Sequence, residues 1–261
     1  MVFAWDHPHD AGLGQFPHQV SLVWSLPPDV NNFHYCGGSI LSNLWVLTSA
    51  FCVTNIYMGN LLIKVGRHNI IVDDEYVQTS HIQTQIIHPK YQGVYVLENL
   101  GSFDLALLKL IEPLEFNRRV QPIELPNSGA WFWNSFKFNY NLILSGWGGI
   151  SNGVIYNHTK ILQTVHLPVV PNKVCSTSIK TIYPHFTLDD SQMCTRPMDG
   201  SISACIGDYG GPLIQYDKTN RPVLVAVYAW STMPCNTNGL PPIYTRIFPF
   251  AKWIKKTMKE N

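Results

Sequence analysis

The stretch CIGDYGGPL, from Cys205 to Leu213, is the part of the sequence that decides the fold. Two glycines follow Asp208 and Tyr209, and Cys205 stands four residues before the tyrosine. Glycine has no side chain, so it permits tight turns and close approaches of the backbone. The stretch therefore predicts a turn that places one side chain, that of Tyr209, beside two backbone N–H groups.

Length and composition predict a globular chain with a weakly charged surface. The 261 residues are enough for one domain, or two small ones, around a sizeable core. Apolar residues make up 46%, charged residues 13%, and the net charge is +1, so nothing favours nucleic acid or an acidic membrane over other partners. No apolar run reaches the length of a membrane span.

The cysteines predict an oxidising compartment. Six of them occur at wide spacings with no C-x-x-C pair, which favours three disulfides over a zinc or thioredoxin-like site, although number alone leaves the pairing open. The sequon at Asn157 would accept a glycan if the chain is secreted. Residues 1–6 lack the features of a signal peptide, so we expect that a signal segment is missing here or that the start is misassigned.

Short β-branched apolar runs recur between turn signals at roughly 8–12-residue spacing, which predicts an all-β sandwich or barrel. The end of the chain differs, because apolar residues from Phe250 to Met258 recur at steps of three and four while lysines take the other face. That pattern predicts an amphipathic C-terminal helix. The predicted strands include Ser39–Thr48, Gln78–Ile87, Asp104–Leu110 and Pro212–Tyr216.

An ordered set of motifs adds a resemblance. HYCGGSIL (34–41), LWVLTSAFC (44–52), FDLALLKL (103–110), SGWG (145–148), CIGDYGGPL (205–213) and PPIYTRI (241–247) together resemble the chymotrypsin/trypsin family of secreted serine proteases. The resemblance implies one domain of two packed six-stranded antiparallel β-barrels, at about 16–125 and 126–247, followed by a helix at about 248–260. It also implies three disulfides, namely Cys36–Cys52, Cys175–Cys194 and Cys205–Cys235.

Acyl transfer in this family needs a serine that attacks, a histidine that takes its proton and a buried aspartate that orients the histidine. The resemblance implies that Asp104 stands at the aspartate position, Phe51 at the histidine position and Tyr209 at the serine position. Phenylalanine exchanges no proton, and a phenol with an ordinary pKa of about 10 is protonated at neutral pH. We therefore predict that no catalytic residue is functional and that the chain is not an enzyme. Asp104, buried without a charged partner, should have a raised pKa.

The activation machinery also departs from the family pattern. Asp208 matches the aspartate that pairs with a newly cleaved amino terminus, but the region around Trp5 lacks the family's Ile-Val-Gly-Gly-like start. Asp208 must then find another donor, or the turn rests in a zymogen-like shape. The backbone N–H groups of Gly207 and Tyr209 resemble an oxyanion hole, and the sequence leaves open whether that hole is formed.

The specificity pocket is predicted to be narrowed or closed. Ser203 stands where relatives that cut after Lys or Arg carry an acid, and Pro242 replaces a glycine of the pocket wall. Proline brings a ring and lacks an N–H. The opposite wall, around Trp230, has lost the family's Ser-Trp-Gly tripeptide.

Calcium is not expected in the loop that often holds it in this family, residues 66–75. Asp73, Asp74 and Glu75 offer oxygen ligands, but Arg67 occupies the place of the first acidic ligand and repels a cation. We predict a solvated acidic turn here, with no metal and no cofactor.

Residues 131–140 hold six aromatic side chains in the connection between the barrels. Aromatic side chains anchor interfaces, and Trp131, Phe132 and Trp133 are the candidates for a binding surface. The segment could instead pack on its own barrel. The alternation of Phe136, Phe138 and Tyr140 with polar residues favours this second interpretation.

The function predicted from the sequence is protein binding by a catalytically inactive protease homologue. It would act as a cofactor, decoy or regulator in an extracellular proteolytic pathway, as a monomer that binds proteases, their inhibitors or their substrates. Two alternatives stay open: weak hydrolysis by Tyr209 or water in a surviving oxyanion hole, and a stored structural or venom-like protein.

Overall fold

The computed structural model describes residues 7–26, 30–56, 58–93, 101–127, 141–148, 150–151, 156–195, 204–232, 235 and 240–261. Several features discussed above lie outside these residues, namely Trp131, Phe132, Trp133, Ser203, the start up to Asp6 and the side chain of Asn157.

Six antiparallel strands close the first barrel. After a short strand, β1 (His9–Asp10), they are β2 (Gln19–Leu26), β3 (Val30–Ile40), β4 (Trp45–Thr48), β5 (Asn60–Val65), β6 (Gln78–Ile87) and β7 (Ala106–Leu110). Their order around the barrel is β2-β3-β4-β7-β6-β5, and β5 pairs with β2 to close it.

The second barrel is closed in the same way. Its strands are β8 (Asn141–Gly146), β11 (Gln163–Val170), β12 (Gln192–Thr195), β13 (Pro212–Tyr216), β14 (Pro222–Trp230) and β15 (Ile243–Arg246). Their order is β11-β12-β15-β14-β13-β8, and β8 pairs with β11 to complete the ring. A hairpin of β9 (Ile150–Ser151) and β10 (Tyr156–Asn157) stands apart from it, and β1 adds to the edge of β11. The all-β, two-barrel fold is confirmed, whereas the barrel boundaries stay a prediction.

The predicted C-terminal helix is present and two shorter helices were missed. A 3-10 turn at Phe248–Phe250 leads into α3 (Ala251–Glu260). The missed helices are α1 (Phe51–Thr54) and α2 (Asn172–Lys180). Neither is long enough to show the sustained periodicity that identifies a helix from sequence. None of the described helices is of a length and hydrophobicity that would let it span a membrane.

The two-residue side-chain period of the strands explains how each barrel is filled and joined to the other. In β4, Val46 points into the first barrel, while Trp45 and Leu47 enter a cluster shared by both barrels. In β8, Leu144 points into the second barrel, while Ile143 enters the shared cluster. Along each of these strands, one set of alternate side chains fills a barrel interior and the other set packs in the seam between the barrels. Both faces of these strands are therefore apolar.

Two predicted strands differ from those observed. The run Ser39–Thr48 divides into β3 and β4, because the chain turns after Ile40 and the Leu41 N–H donates to the Trp45 carbonyl (2.8 Å). The run Asp104–Leu110 becomes a strand only at Ala106. Phe103 has a positive φ of 55°, which is incompatible with a strand, and so the chain enters β7 after a sharp bend.

The two barrels approach each other closely at Gly37 and Gly211. A side-chain carbon on Gly37 of β3 would lie 2.7 Å from the Gly211 Cα, so no larger residue fits there without moving the backbone. The Gly37 N–H donates across this seam to the Tyr209 carbonyl (2.7 Å). The three disulfides implied by the resemblance are present, namely Cys36–Cys52, Cys175–Cys194 and Cys205–Cys235.

Candidate functional site

The stretch at 205–211 forms a tight turn at the seam between the barrels. The Asp208 N–H donates to the Cys205 carbonyl (2.9 Å), and the Gly211 N–H donates to the Asp208 carbonyl (2.8 Å). Gly207 and Gly210 have φ values of 97° and 77°, which lie in the left-handed region that glycine adopts without strain. These constraints fix the backbone on both sides of Tyr209.

The Tyr209 ring packs against both barrels. Its centroid lies 4.7 Å from that of Phe51, on α1 of the first barrel, with the rings tilted by 44°. On the other side it stacks on Tyr228 of β14, at 4.8 Å and 18°. Tyr209 is half-buried and contacts the apolar interior clusters of both barrels. The two side chains that the resemblance assigns to the histidine and serine positions are therefore in direct aromatic contact.

The Tyr209 hydroxyl belongs to a buried polar group that sequence analysis missed. Burial raises the pKa of Tyr209 to about 12. Hydrogen bonds to Tyr228 and Ser231 lower this pKa in part, and the nearby charge of Asp104 raises it further. The Tyr228 hydroxyl lies 2.6 Å from Ser231 Oγ and donates to the Ala204 carbonyl (3.2 Å). The phenol of Tyr209 therefore keeps its proton at neutral pH. Tyr228 stands in the apolar run VAVYAW, where only its hydroxyl hints at a polar role.

Asp104 lies beneath Phe51 and is fully buried. The Phe51 N–H donates to Asp104 Oδ1 (2.8 Å), whereas Oδ2 has no hydrogen-bond partner among the described residues. Burial raises the pKa of Asp104 to about 7, against the opposing effect of backbone hydrogen bonds from Phe51 and Ala50. The raised pKa predicted from the sequence is therefore found.

Asp208 is held by backbone donors. The Gly148 N–H donates to its Oδ1 (2.8 Å) and the Cys205 N–H to its Oδ2 (3.0 Å). Side-chain carbons at Gly146 and Gly148 would lie 2.0 Å or less from the carboxylate oxygens, so these glycines shape its site. Burial raises the pKa of Asp208 to about 6, and the two backbone donors lower it in part. Among the described residues, backbone N–H groups thus hold the Asp208 carboxylate, and its role in activation stays a prediction.

His34 supports the turn from the first barrel. Its Nε2 lies 2.9 Å from the Gly207 carbonyl oxygen and its Nδ1 lies 2.8 Å from Ser21 Oγ. Burial is the main cause that lowers the pKa of His34 to about 3, so the ring is neutral and Nε2 is the donor to the carbonyl. The oxyanion-hole role of the Gly207 and Tyr209 N–H groups stays a prediction.

The specificity pocket is described only in part. Pro242 is buried, and half-buried Trp230 packs edge-on against Tyr183 with ring centroids 5.6 Å apart. The predicted narrowing of the pocket stays a prediction because Ser203, at its base, is outside the described residues.

Acidic side chains of the loop at residues 66–75 form ion pairs with lysine and arginine side chains of the same chain. Asp73 is paired with Lys64 and Arg67, and Arg119 donates to Asp74. Within the described part of the chain, no three His, Cys, Asp or Glu residues are grouped so that they could hold a metal ion.

The chain is similar to known proteins over nearly its whole length. A family model described as Trypsin matches residues 8–254. Trypsin II-P29 of Gallus gallus is 31% identical over 245 residues, which cover 93% of this chain and 84% of that relative. Kallikrein-1 of Mus musculus is 33% identical over 235 residues, covering 87% and 82%. Serine proteinase stubble of Drosophila melanogaster is 30% identical over 247 residues, covering 94% of this chain and 30% of that relative.

These comparisons contradict the prediction that the chain is not an enzyme. The matching family is named Trypsin, and the relatives are a trypsin, a kallikrein and a serine proteinase. The prediction was drawn from two side chains, Phe51 and Tyr209, whereas the match spans residues 8–254 and points to an enzyme family. At the level of the family, the prediction is wrong.

The variant Asp104→Asn is expected to weaken the pH dependence of stability. The pKa of Asp104 rises from an ordinary value near 3.9 to about 7 on folding, so between these values the folded chain holds a proton that the unfolded chain releases. This contribution to stability is full below about pH 4 and is lost as the pH rises through 7, by roughly 3–4 kcal/mol. Urea unfolding from pH 4 to 8 measures it.

The matched control for this variant is Glu75→Gln, which removes an exposed carboxylate from the loop at 66–75. Asp208 remains in both variants and keeps its own, smaller slope around pH 6. An Asp104→Asn variant with the same pH slope as the unmodified chain would contradict the assignment.

Proposed function

Since this chain belongs to the trypsin family of serine proteases, we propose that it works in an extracellular proteolytic pathway by binding a polypeptide at the seam between its barrels. This site, which we call the cleft, comprises Tyr35, Phe51 and Tyr209. The partner is a protease, a protease inhibitor or a protease substrate, and the chain serves as cofactor, decoy or regulator. The observation that carries the proposal is the Tyr209 ring, which is fixed between Phe51 and Tyr228 at the seam of the two barrels.

The chemistry of the cleft supports protein binding. Tyr35, Phe51 and Tyr209 are each half-buried, so each keeps part of an aromatic surface accessible. Aromatic side chains are enriched at the centres of protein interfaces, where they bury much area with little loss of conformational entropy. Tyr209 is also held by stacking and by its hydroxyl, so little further ordering is needed when a partner binds.

The extracellular setting is supported by the disulfides. All six cysteines are paired and no free cysteine remains. Disulfides of this kind form and persist in oxidising compartments. Glycosylation at Asn157 and a monomeric state remain proposals.

Photo-crosslinking at the cleft tests the binding proposal. We would place benzoylphenylalanine at position 51 and expose the chain to the extracellular fluid in which it occurs. The matched control places the same group at Phe116, an exposed phenylalanine beside the start of β6. We expect position 51 to cross-link to a protease, a protease inhibitor or a protease substrate. Equal products at both positions, or none at position 51, would contradict binding at the cleft.

The second candidate function is hydrolysis of peptides or esters, which membership in an enzyme family favours. Phe51 exchanges no proton, and the Tyr209 phenol, with a pKa raised to about 12, is protonated at neutral pH. Hydrolysis here would draw on water and on the backbone N–H groups of Gly207 and Tyr209, because Asp104 is fully buried beneath Phe51 and does not reach a substrate proton.

A paired activity assay tests this candidate. The disulfide-intact chain is compared with the double variant Phe51→His, Tyr209→Ser on a panel of peptide and ester substrates. The hydrolytic candidate predicts measurable cleavage by the unmodified chain. Cleavage by the double variant alone would show that the cleft accepts a polypeptide, which supports the binding proposal. An inert unmodified chain would contradict the hydrolytic candidate.

A further inference from the structure

The C-terminal helix α3 carries a line of exposed lysines. Ile254 and Thr257 are buried against the barrels, and Trp253 and Met258 are half-buried on the same side. The exposed lysines, which we call the lysine stripe, are Lys252, Lys255, Lys256 and Lys259.

The spacing of the stripe aligns its charges along the helix. Positions three, four and seven residues apart lie on one side of an α-helix, and a seven-residue separation spans about 10 Å of its axis. Two further lysines lie near the helix, one of them through an intervening ring. Lys90 Nζ lies 5.4 Å from the centroid of Phe103, whose ring packs on Phe250 just before α3. Lys109 donates to the Asn261 carbonyl at the other end.

Few described carboxylates offset this charge. Glu260 lies 3.8 Å from Lys256, with both side chains largely exposed to solvent. Glu124 lines a groove with Lys255 and Lys259. Such exposed pairs contribute little because water and salt screen them. The whole chain has a net charge of +1, so the four lysines of the stripe are a strong local concentration of charge.

We propose that the lysine stripe binds a linear sulfated polysaccharide. Clusters of lysine over five to eight residues are typical of sites for polyanions such as heparin, and KWIKKTMK (252–259) is such a cluster. A line of cations complements a chain of evenly repeated sulfates. This site lies on the outer face of α3 and is separate from the cleft at Tyr209.

Other polyanions fit the helix less well. A helix that inserts into a membrane surface needs a free apolar face, and here that face is packed on the barrels. Proteins that bind single-stranded nucleic acid stack bases on aromatic side chains, and none is exposed on α3. The disulfides also favour an extracellular ligand.

Titration of the full chain with a heparin octasaccharide tests the proposal. We expect binding that weakens steeply with added salt, since released counterions drive association with polyanions. Changing all four lysines of the stripe to glutamine should weaken binding by roughly tenfold or more at low salt. The matched control makes the same change of charge at four exposed lysines elsewhere and should bind like the unmodified chain; these are Lys160, Lys173, Lys180 and Lys218.

The remaining outcomes overturn the proposal. Equal loss in both quadruple variants would show non-specific attraction to net charge. Equal or tighter binding to phosphatidylserine vesicles, single-stranded DNA or polyglutamate would assign the stripe to a different partner. Absence of heparin binding by a chain whose circular dichroism shows that it is folded would exclude the site. None of these results depends on what occupies the cleft.

Discussion

The packing of one tyrosine ring between two barrels is the contact on which the site depends. Tyr209 touches Phe51 on the first barrel and Tyr228 on the second, and its carbonyl accepts the Gly37 N–H across the seam. That hydrogen bond requires the close approach of β3 to the turn, which only glycine at position 37 permits. The turn, its glycines and the three rings are therefore packed together, so we expect a substitution at any of them to disturb the packing of both barrels.

Burial at this seam determines its electrostatics. Asp104 is buried beside the turn and Asp208 within it, and among the described residues each accepts hydrogen bonds from backbone N–H groups. Burial raises both pKa values, to about 7 and about 6. The seam thus holds two carboxyl groups whose pKa values lie near neutral pH and a phenol whose pKa is far higher. A change of pH near 7 therefore changes the charge of Asp104 and Asp208 and leaves Tyr209 protonated.

The sequence predicted the fold better than it predicted the contacts of the site. Strands such as Gln78–Ile87 and Pro212–Tyr216 were predicted with their observed bounds, because each is a short β-branched run between turn signals. The split between β3 and β4 was missed, since the turn after Ile40 contains apolar residues. The resemblance supplied the disulfide pairing, which cysteine spacing alone leaves open.

The contacts of Tyr209 depend on residues far apart in the chain. Phe51 precedes it by 158 positions, so no local pattern records their contact, and the role of Tyr228 is hidden in a strand that otherwise looks purely apolar. The same limit applies to function. Phe51 and Tyr209 led to the prediction that the chain is not an enzyme, whereas the match over residues 8–254 places it in a family of proteases.

A double-mutant cycle on Phe51→Ala and Tyr209→Ala tests the central contact most directly. The free energy of unfolding would be measured for the unmodified chain, both single variants and the double variant, with Tyr183→Ala replacing Phe51→Ala in a control cycle because Tyr183 packs on Trp230 instead. Direct ring contact predicts a coupling energy of about 0.5–1.5 kcal/mol for Phe51 and Tyr209 and close to none for the control. Additivity within about 0.3 kcal/mol for Phe51 and Tyr209 would contradict the account.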